Sequence, residues 1–226
     1  SAFASMPRRA ERSLDAPTPP SHEAGLRVHR TGKPLAAAQI GFGPGLKRTD
    51  PDYPAVQVLS RMISSFPSGK LEQALRGEGP GLAYAVWAFP FSGRVPGYFG
   101  IGFNTQPATL IEAVERSVRV ADEVRAAPPD EATLQRAKAA VLTREVLGKQ
   151  SNADRAADAA LDELYGLGYD HPDTFVERVE SLTAEQIQEA AGQYLQRPLG
   201  VIITHDPVDE AALREALGLE PASAAR

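Results

Sequence analysis

Strand-like and helix-like patterning alternate unevenly along this chain. Gly25 to Arg30 and Leu35 to Phe42 have strand character, and Thr31-Gly32-Lys33-Pro34 between them supplies the turn residues of a hairpin. Asp50-Pro51 then predicts an N-cap followed by proline at the first helical position. Behind it, Ala55, Leu59, Met62 and Ile63 recur on one helical face. Pro67 and Gly69 break that helix, Lys70 to Arg76 resumes a short one, and Gly77, Gly79, Pro80 and Gly81 end it in a sharp turn.

Leu82 to Phe89 and Tyr98 to Asn104 are rich in aromatic and β-compatible residues, with Ser92-Gly93 and Pro96-Gly97 marking the connection of an antiparallel pair. Three helical segments follow, from about Pro107 to Arg125, from Asp130 to Leu147 and from about Asn152 to Tyr165. Leu110, Val114, Val118 and Ala121 form one face of the first. Thr183 with Gln186 forms a capping box ahead of Ile187, Ala190, Ala191, Tyr194 and Leu195. Leu199 to Thr204 reads as a closing strand, and Val208 to Leu217 as a terminal helix ended by Gly218. Early strands, a block of helices and a returning strand are not the regular alternation of a doubly wound fold. The expected class is α+β, with one mostly antiparallel sheet backed by helices.

The formal charge of -5 is mild and its signs are interspersed, which excludes the electrostatic footprint of a nucleic-acid binder or a polybasic membrane anchor. No apolar run approaches the roughly 20 residues of a bilayer span. The absence of cysteine removes disulfides and thiolate metal sites but leaves bacterial cytoplasm and periplasm both open. Residue 1 is a serine with neither an initiator methionine nor a signal-peptide core after it, so translation is expected to begin upstream. Residues 1–24 are proline- and arginine-rich and read as a linker or N-terminal arm, residues 25–206 as the main domain, and residues 207–226 as a C-terminal helix and tail.

None of the four histidines lies in an H-E-x-x-H or H-x-x-E-H pattern, so the chain is expected to hold no metal. His22-Glu23 with His29 read as solvated loop and strand residues, His171 before Pro172 as a surface loop histidine, and His205 as a strand-end histidine. No cysteine or G-x-S-x-G elbow offers a nucleophile. Gly41, Gly43 and Gly45 lack the lysine-serine pair of a phosphate loop and read as strand-end glycines.

The stretch Lys70-Leu71-Glu72-Gln73-Ala74-Leu75-Arg76-Gly77, continuing through Gly81-Leu82-Ala83-Tyr84, resembles a signature of the second half of pitrilysin/insulinase-type zinc metallopeptidases, the inverzincins of family M16. Ala38 to Phe42, the Leu134/Ala137/Lys138 pattern and the Leu182 to Leu195 helix extend the resemblance over most of the chain. The resemblance implies a two-lobed, clam-like peptidase in which this chain is the C-terminal, inactive half. Zinc is then expected in a partner half carrying H-x-x-E-H, on the same polypeptide or a separate subunit, with a peptide as substrate. It further implies that an arginine and a tyrosine reach across the chamber as auxiliary catalytic residues, contacting substrate or oxyanion; the matching positions are Arg76 and Tyr84.

Taken without the resemblance, Arg76 four residues after Glu72 suits an exposed ion pair, and Tyr84 suits a core strand residue with its hydroxyl at the edge. A functional alternative is a catalytically inactive homologue acting as a peptide-binding or scaffold subunit. A chamber wall also implies an exposed apolar face that pairs, with a homodimer as one possibility.

Overall fold

The computed structural model describes residues 23–77 and 81–221. The arm expected over residues 1–24, with His22, lies outside these but for Glu23 and Ala24, as do Glu78-Gly79-Pro80 of the turn and residues 222–226 of the tail.

The strand-like segments form β1 (Gly25–Arg30), β2 (Ala36–Gly43), β3 (Ala83–Phe91), β4 (Tyr98–Thr105) and β5 (Gln196–Thr204), joined in one five-stranded sheet ordered β1-β5-β2-β4-β3. β2 pairs antiparallel with β4 and β5, β3 antiparallel with β4, and β1 parallel with β5. The hairpin expected between β1 and β2 does not form, because β5 returns between them. Thr31 N donates to Thr204 O at 2.9 Å, so the expected turn instead prolongs the β1–β5 ladder. Inserted there, β5 satisfies backbone groups on two strands at once, where a local hairpin would satisfy one ladder only.

Ala38, Ile40, Phe42, Phe99, Ile101, Phe103 and Ile202 alternate onto one face of the sheet and are buried. Each large side chain among them contributes about 1.5–3 kcal/mol on burial. The helices are α1 (Tyr53–Ile63), α2 (Lys70–Arg76), α3 (Leu110–Ala126), α4 (Glu131–Leu147), α5 (Asn152–Tyr165), α6 (His171–Ser181), α7 (Ala184–Tyr194) and α8 (Glu210–Ala216). α1, α3, α7 and α8 lie directly against the sheet, and α4 and α6 pack on α1. Leu217, after α8, fills the space above Gly200, where an added Cβ would stand 2.6 Å from its Cδ1.

The start of α1 differs from expectation. Asp52 is its N-cap and Pro54 supplies the early proline, while Asp50 accepts from Lys47 N at 2.7 Å and closes the preceding turn. Ala55, Leu59, Met62 and Ile63 nevertheless all face inward. α6 occupies what reads as a loop: His171 opens it, with Pro172 in the first turn, and the imidazole is buried beside Phe175 at a ring separation of 6.1 Å. Proline at a helix start costs no hydrogen bond, so the dipeptide that reads as a breaker is an initiator here. The Leu134, Ala137 and Lys138 pattern of α4 is buried as a unit, the Lys138 ammonium donating to Glu180 O at 2.8 Å.

α5 stands apart from this packing. Asp162 is its one buried side chain, held by the Arg48 guanidinium at 3.1 Å, while Leu161 and Leu164 remain 45% and 63% exposed.

Candidate functional site

The two residues singled out by sequence lie on the corner where α2 ends and β3 begins. Leu71 and Leu75 anchor α2 in the core, and Leu75 O accepts from Leu82 N at 2.7 Å, drawing the start of β3 back against the helix end. Arg116 adds a second tie by donating to Ala74 O at 3.0 Å. A Cβ on Gly81 would stand 3.7 Å from Arg76 Cα, so the two sides of the turn touch. Tyr84 is three residues farther along β3, about 10 Å of extended chain at most.

Glu72 does not pair with Arg76. It is buried and accepts from Ser64 Oγ at 2.8 Å and Ser65 N at 3.2 Å, tying α2 to the end of α1. The Arg76 guanidinium is exposed, lies 5.7 Å from the ring centroid of Phe66, and meets no carboxylate among the described residues. Stacking on an aromatic face steadies a cation without neutralising it. Phe66 is itself 76% exposed, so the pair projects from the surface.

Tyr84 is not a core residue: it is 56% exposed, at an irregularity where the β3–β4 register shifts between Ala83 and Ala85. Its hydroxyl accepts from Gln106 Nε2 at 2.9 Å. A phenol that accepts from one side keeps its own proton for an outside acceptor. Among the described residues, the corner thus presents a guanidinium and a phenol O–H as free donors. Beneath it, Thr105 Oγ1 donates to Leu82 O and lies 2.6 Å from Thr109 Oγ1. Phe66 and Gln106 carry no local sequence signal, since each acts through a partner brought near by the fold.

The outer face of the sheet continues from this corner. Trp87 lies over Gly102 and donates to Gln39 Oε1 at 3.3 Å, and Phe89 and Gln39 crowd Gly100. Phe91 stacks on Tyr98 at 5.6 Å. Val201 and Ile203, 39% and 41% exposed, extend an apolar surface to β5.

Among the described residues no group of three or more His, Cys, Asp or Glu side chains is placed to hold a metal ion. His29 is exposed on β1, and His205 Nδ1 lies 3.0 Å from Thr31 O. This donor set does not fit zinc, which takes about four clustered ligands. In the Gly41-Gly43-Gly45 run, Gly41 and Gly43 lie in β2 and Gly45 serves packing: a Cβ there would stand 1.8 Å from Gly97 O. No helix among the described residues is long and apolar enough to cross a membrane.

Residues 1–141 match the family described as the peptidase M16 inactive domain. No curated protein shows significant similarity to the chain. Among solved structures, a peptidase M16 inactive domain from Pseudomonas fluorescens superposes with a TM-score of 0.76 at 21% identity, over 87% of this chain and 48% of that one. A protease from Helicobacter pylori gives 0.75 at 16% identity, over 89% and 50%. A chain of complex III2 from Candida albicans gives 0.78 at 17% identity, over 93% and 53%. The chain therefore spans about half the length of these structures, and at such identities they establish a shared fold.

Proposed function

The chain belongs to the family of peptidase M16 inactive domains, and from that premise we propose that it is the non-zinc-binding half of a zinc metalloendopeptidase. It walls one side of a chamber, and a partner half with H-x-x-E-H, on the same polypeptide or another subunit, holds the zinc. The observation that carries this reading is the α2–β3 corner, where Arg76 and Tyr84 offer two donors that nothing in the described fold consumes.

Peptide hydrolysis places negative charge on the scissile carbonyl oxygen as the nucleophile adds. Arg76 stabilises that charge electrostatically, and Tyr84 donates its hydroxyl proton in a hydrogen bond, neither group generating the nucleophile. The ring under Arg76 and the amide on Tyr84 limit side-chain freedom, so little reorganisation is needed when charge develops. The apolar outer face, with Phe91, Val201 and Ile203 exposed, suits pairing with the partner half or a second copy.

The test combines the chain with its metal-bearing half and follows cleavage of an unstructured peptide. Arg76→Ala and Tyr84→Phe are each expected to lower kcat/KM by about 10²–10³-fold with melting temperature unchanged. Full activity in both variants, or a loss of stability that accounts for the deficit, would remove the assigned role. The resemblance to the complex III chain favours a second reading, a scaffold or peptide-binding subunit that does not cleave. Absence of cleavage by the assembled pair, with peptide still bound, would select it.

A further inference from the structure

Away from that corner, a cavity of about 450 Å3 lies between α1, α4, α5, α6 and the end of β3. Its volume falls within the range of about 300–1,000 Å3 of small-molecule sites. Tyr53, Val141 and Phe175 form a buried floor, and Phe91 stands at its rim, 61% exposed. The charges on its wall are mostly matched. Arg48 pairs with Asp162 at 3.1 Å, and Glu145 pairs with Lys149.

Arg61, Arg144 and Asp158 are the exceptions, and the two arginines share one side of the cavity. Each comes from the last turn of its helix, α1 and α4, and neither guanidinium has a hydrogen bond or ion pair among the described residues. Burial pushes Arg61 below its ordinary range, with the Arg144 charge adding to that and Glu72 opposing it. The negative ends of both helix dipoles make this arrangement tolerable in the empty protein. Arg48 Nε adds a buried donor with no partner among the described residues. Asp158, on the α5 wall, would oppose an anion placed beside that helix, which directs an anionic group toward the α1–α4 side.

We propose that this cavity binds a small carboxylate with an aromatic body, its carboxylate between Arg61 and Arg144 and its ring against Tyr53, Phe91 and Phe175. Two guanidiniums lining one cavity can match a carboxylate's paired oxygens, and an anion between them offsets both charges. Tyr53, Phe91 and Phe175 add ring surface to a largely polar lining, and a bare inorganic anion would leave most of the cavity unfilled. The proposal is independent of whether Arg76 and Tyr84 act in catalysis, because none of these residues belongs to that corner; Phe91 alone is shared with the outer face assigned to pairing.

Calorimetric titration of the 226-residue chain with N-acetylphenylalanine, N-acetylphenylalanine amide and acetate tests it. Saturable binding of the acid is expected, with the amide and acetate each weaker by about tenfold or more. Arg144→Gln, at an exposed position that leaves the core intact, and Arg61→Gln should each weaken the acid by about tenfold, with circular dichroism melts confirming folded protein. No saturable binding of the acid overturns the proposal, as does equal binding of acid and amide. Acetate binding as tightly as the acid overturns the aromatic part, and full affinity in folded Arg144→Gln overturns the placement of the carboxylate.

Discussion

Replacing Asp162 with Asn should release α5 while leaving the sheet in place. Asp162 is 2% exposed and the one buried side chain of that helix, so most of what fastens α5 passes through its contact with Arg48 at 3.1 Å. A hydrogen bond between charged groups contributes about 1.5–3 kcal/mol; the Arg48 side chain is 30% exposed, and solvent screening places this one near the lower end. A loss of about 2 kcal/mol raises the local opening equilibrium of α5 by roughly thirtyfold. Stacking of Arg48 near the Tyr53 and Tyr165 rings, at 5.5 and 5.7 Å, persists in the variant and sets the residual stability. Hydrogen exchange read by mass spectrometry should therefore show peptides across residues 152–165 exchanging faster, with β2 and β4 protected as before. Arg48→Met should reproduce the effect, and the double variant should add little to either single one. Unchanged protection in α5, or a uniform loss that includes β2 and β4, would refute the view that α5 is a satellite fastened at one point.

Gly102→Ala should disturb the outer face, since the new Cβ would stand 2.2 Å from Trp87 Nε1 and force the indole off Gln39. Trp87 is the sole tryptophan, so its emission should shift to the red with a stability loss of about 1–3 kcal/mol; unchanged emission would contradict the packing. His171 should make stability fall in acid. Burial holds its imidazole below the ordinary 6.5, with the Arg48 and Arg178 charges adding and Asp162 and Glu145 opposing. The folded state then disfavours the proton, so stability is full above about pH 6.5 and is lost as pH falls through that value toward the depressed one. In His171→Gln, urea midpoints should vary less with pH over this window; parallel profiles for the two proteins would show that the imidazole is not linked to folding.

Local signals were legible wherever one segment determines its own structure. Thr183 and Gln186 form the expected capping box, with Thr183 N donating to Gln186 Oε1 at 2.9 Å, and Gly218 takes the positive φ of 67° that ends α8's segment. The antiparallel pairing of β3 with β4 follows from their aromatic patterning and the turn residues between them. Non-local choices were not legible. Nothing in Thr31 to Pro34 announces that a strand more than a hundred and sixty residues later will take the neighbouring position, because Gly25 pairs with Leu199 and no local preference encodes that. α6 was hidden because its first residues, His171-Pro172-Asp173, carry the same composition as a loop.

The candidate site shows the same division at the scale of single side chains. Glu72 and Arg76 are four residues apart on a helix, a spacing that on an exposed helix predicts an ion pair worth about 0.2–0.5 kcal/mol. Here Glu72 gains more elsewhere: two donors, Ser64 Oγ and Ser65 N, reach its carboxylate in a buried setting where leaving them unpaired would cost about 1–3 kcal/mol each. The buried hydrogen bonds outweigh the surface ion pair, and the glutamate turns inward. Arg76 is thereby left with its charge intact, and the exposed ring of Phe66 becomes its support. A cation is kept available at this corner because its nearest helical counter-ion is committed to holding α2 against α1. The structural bond and the free guanidinium are two consequences of one competition, and neither spacing nor composition reveals which way it falls.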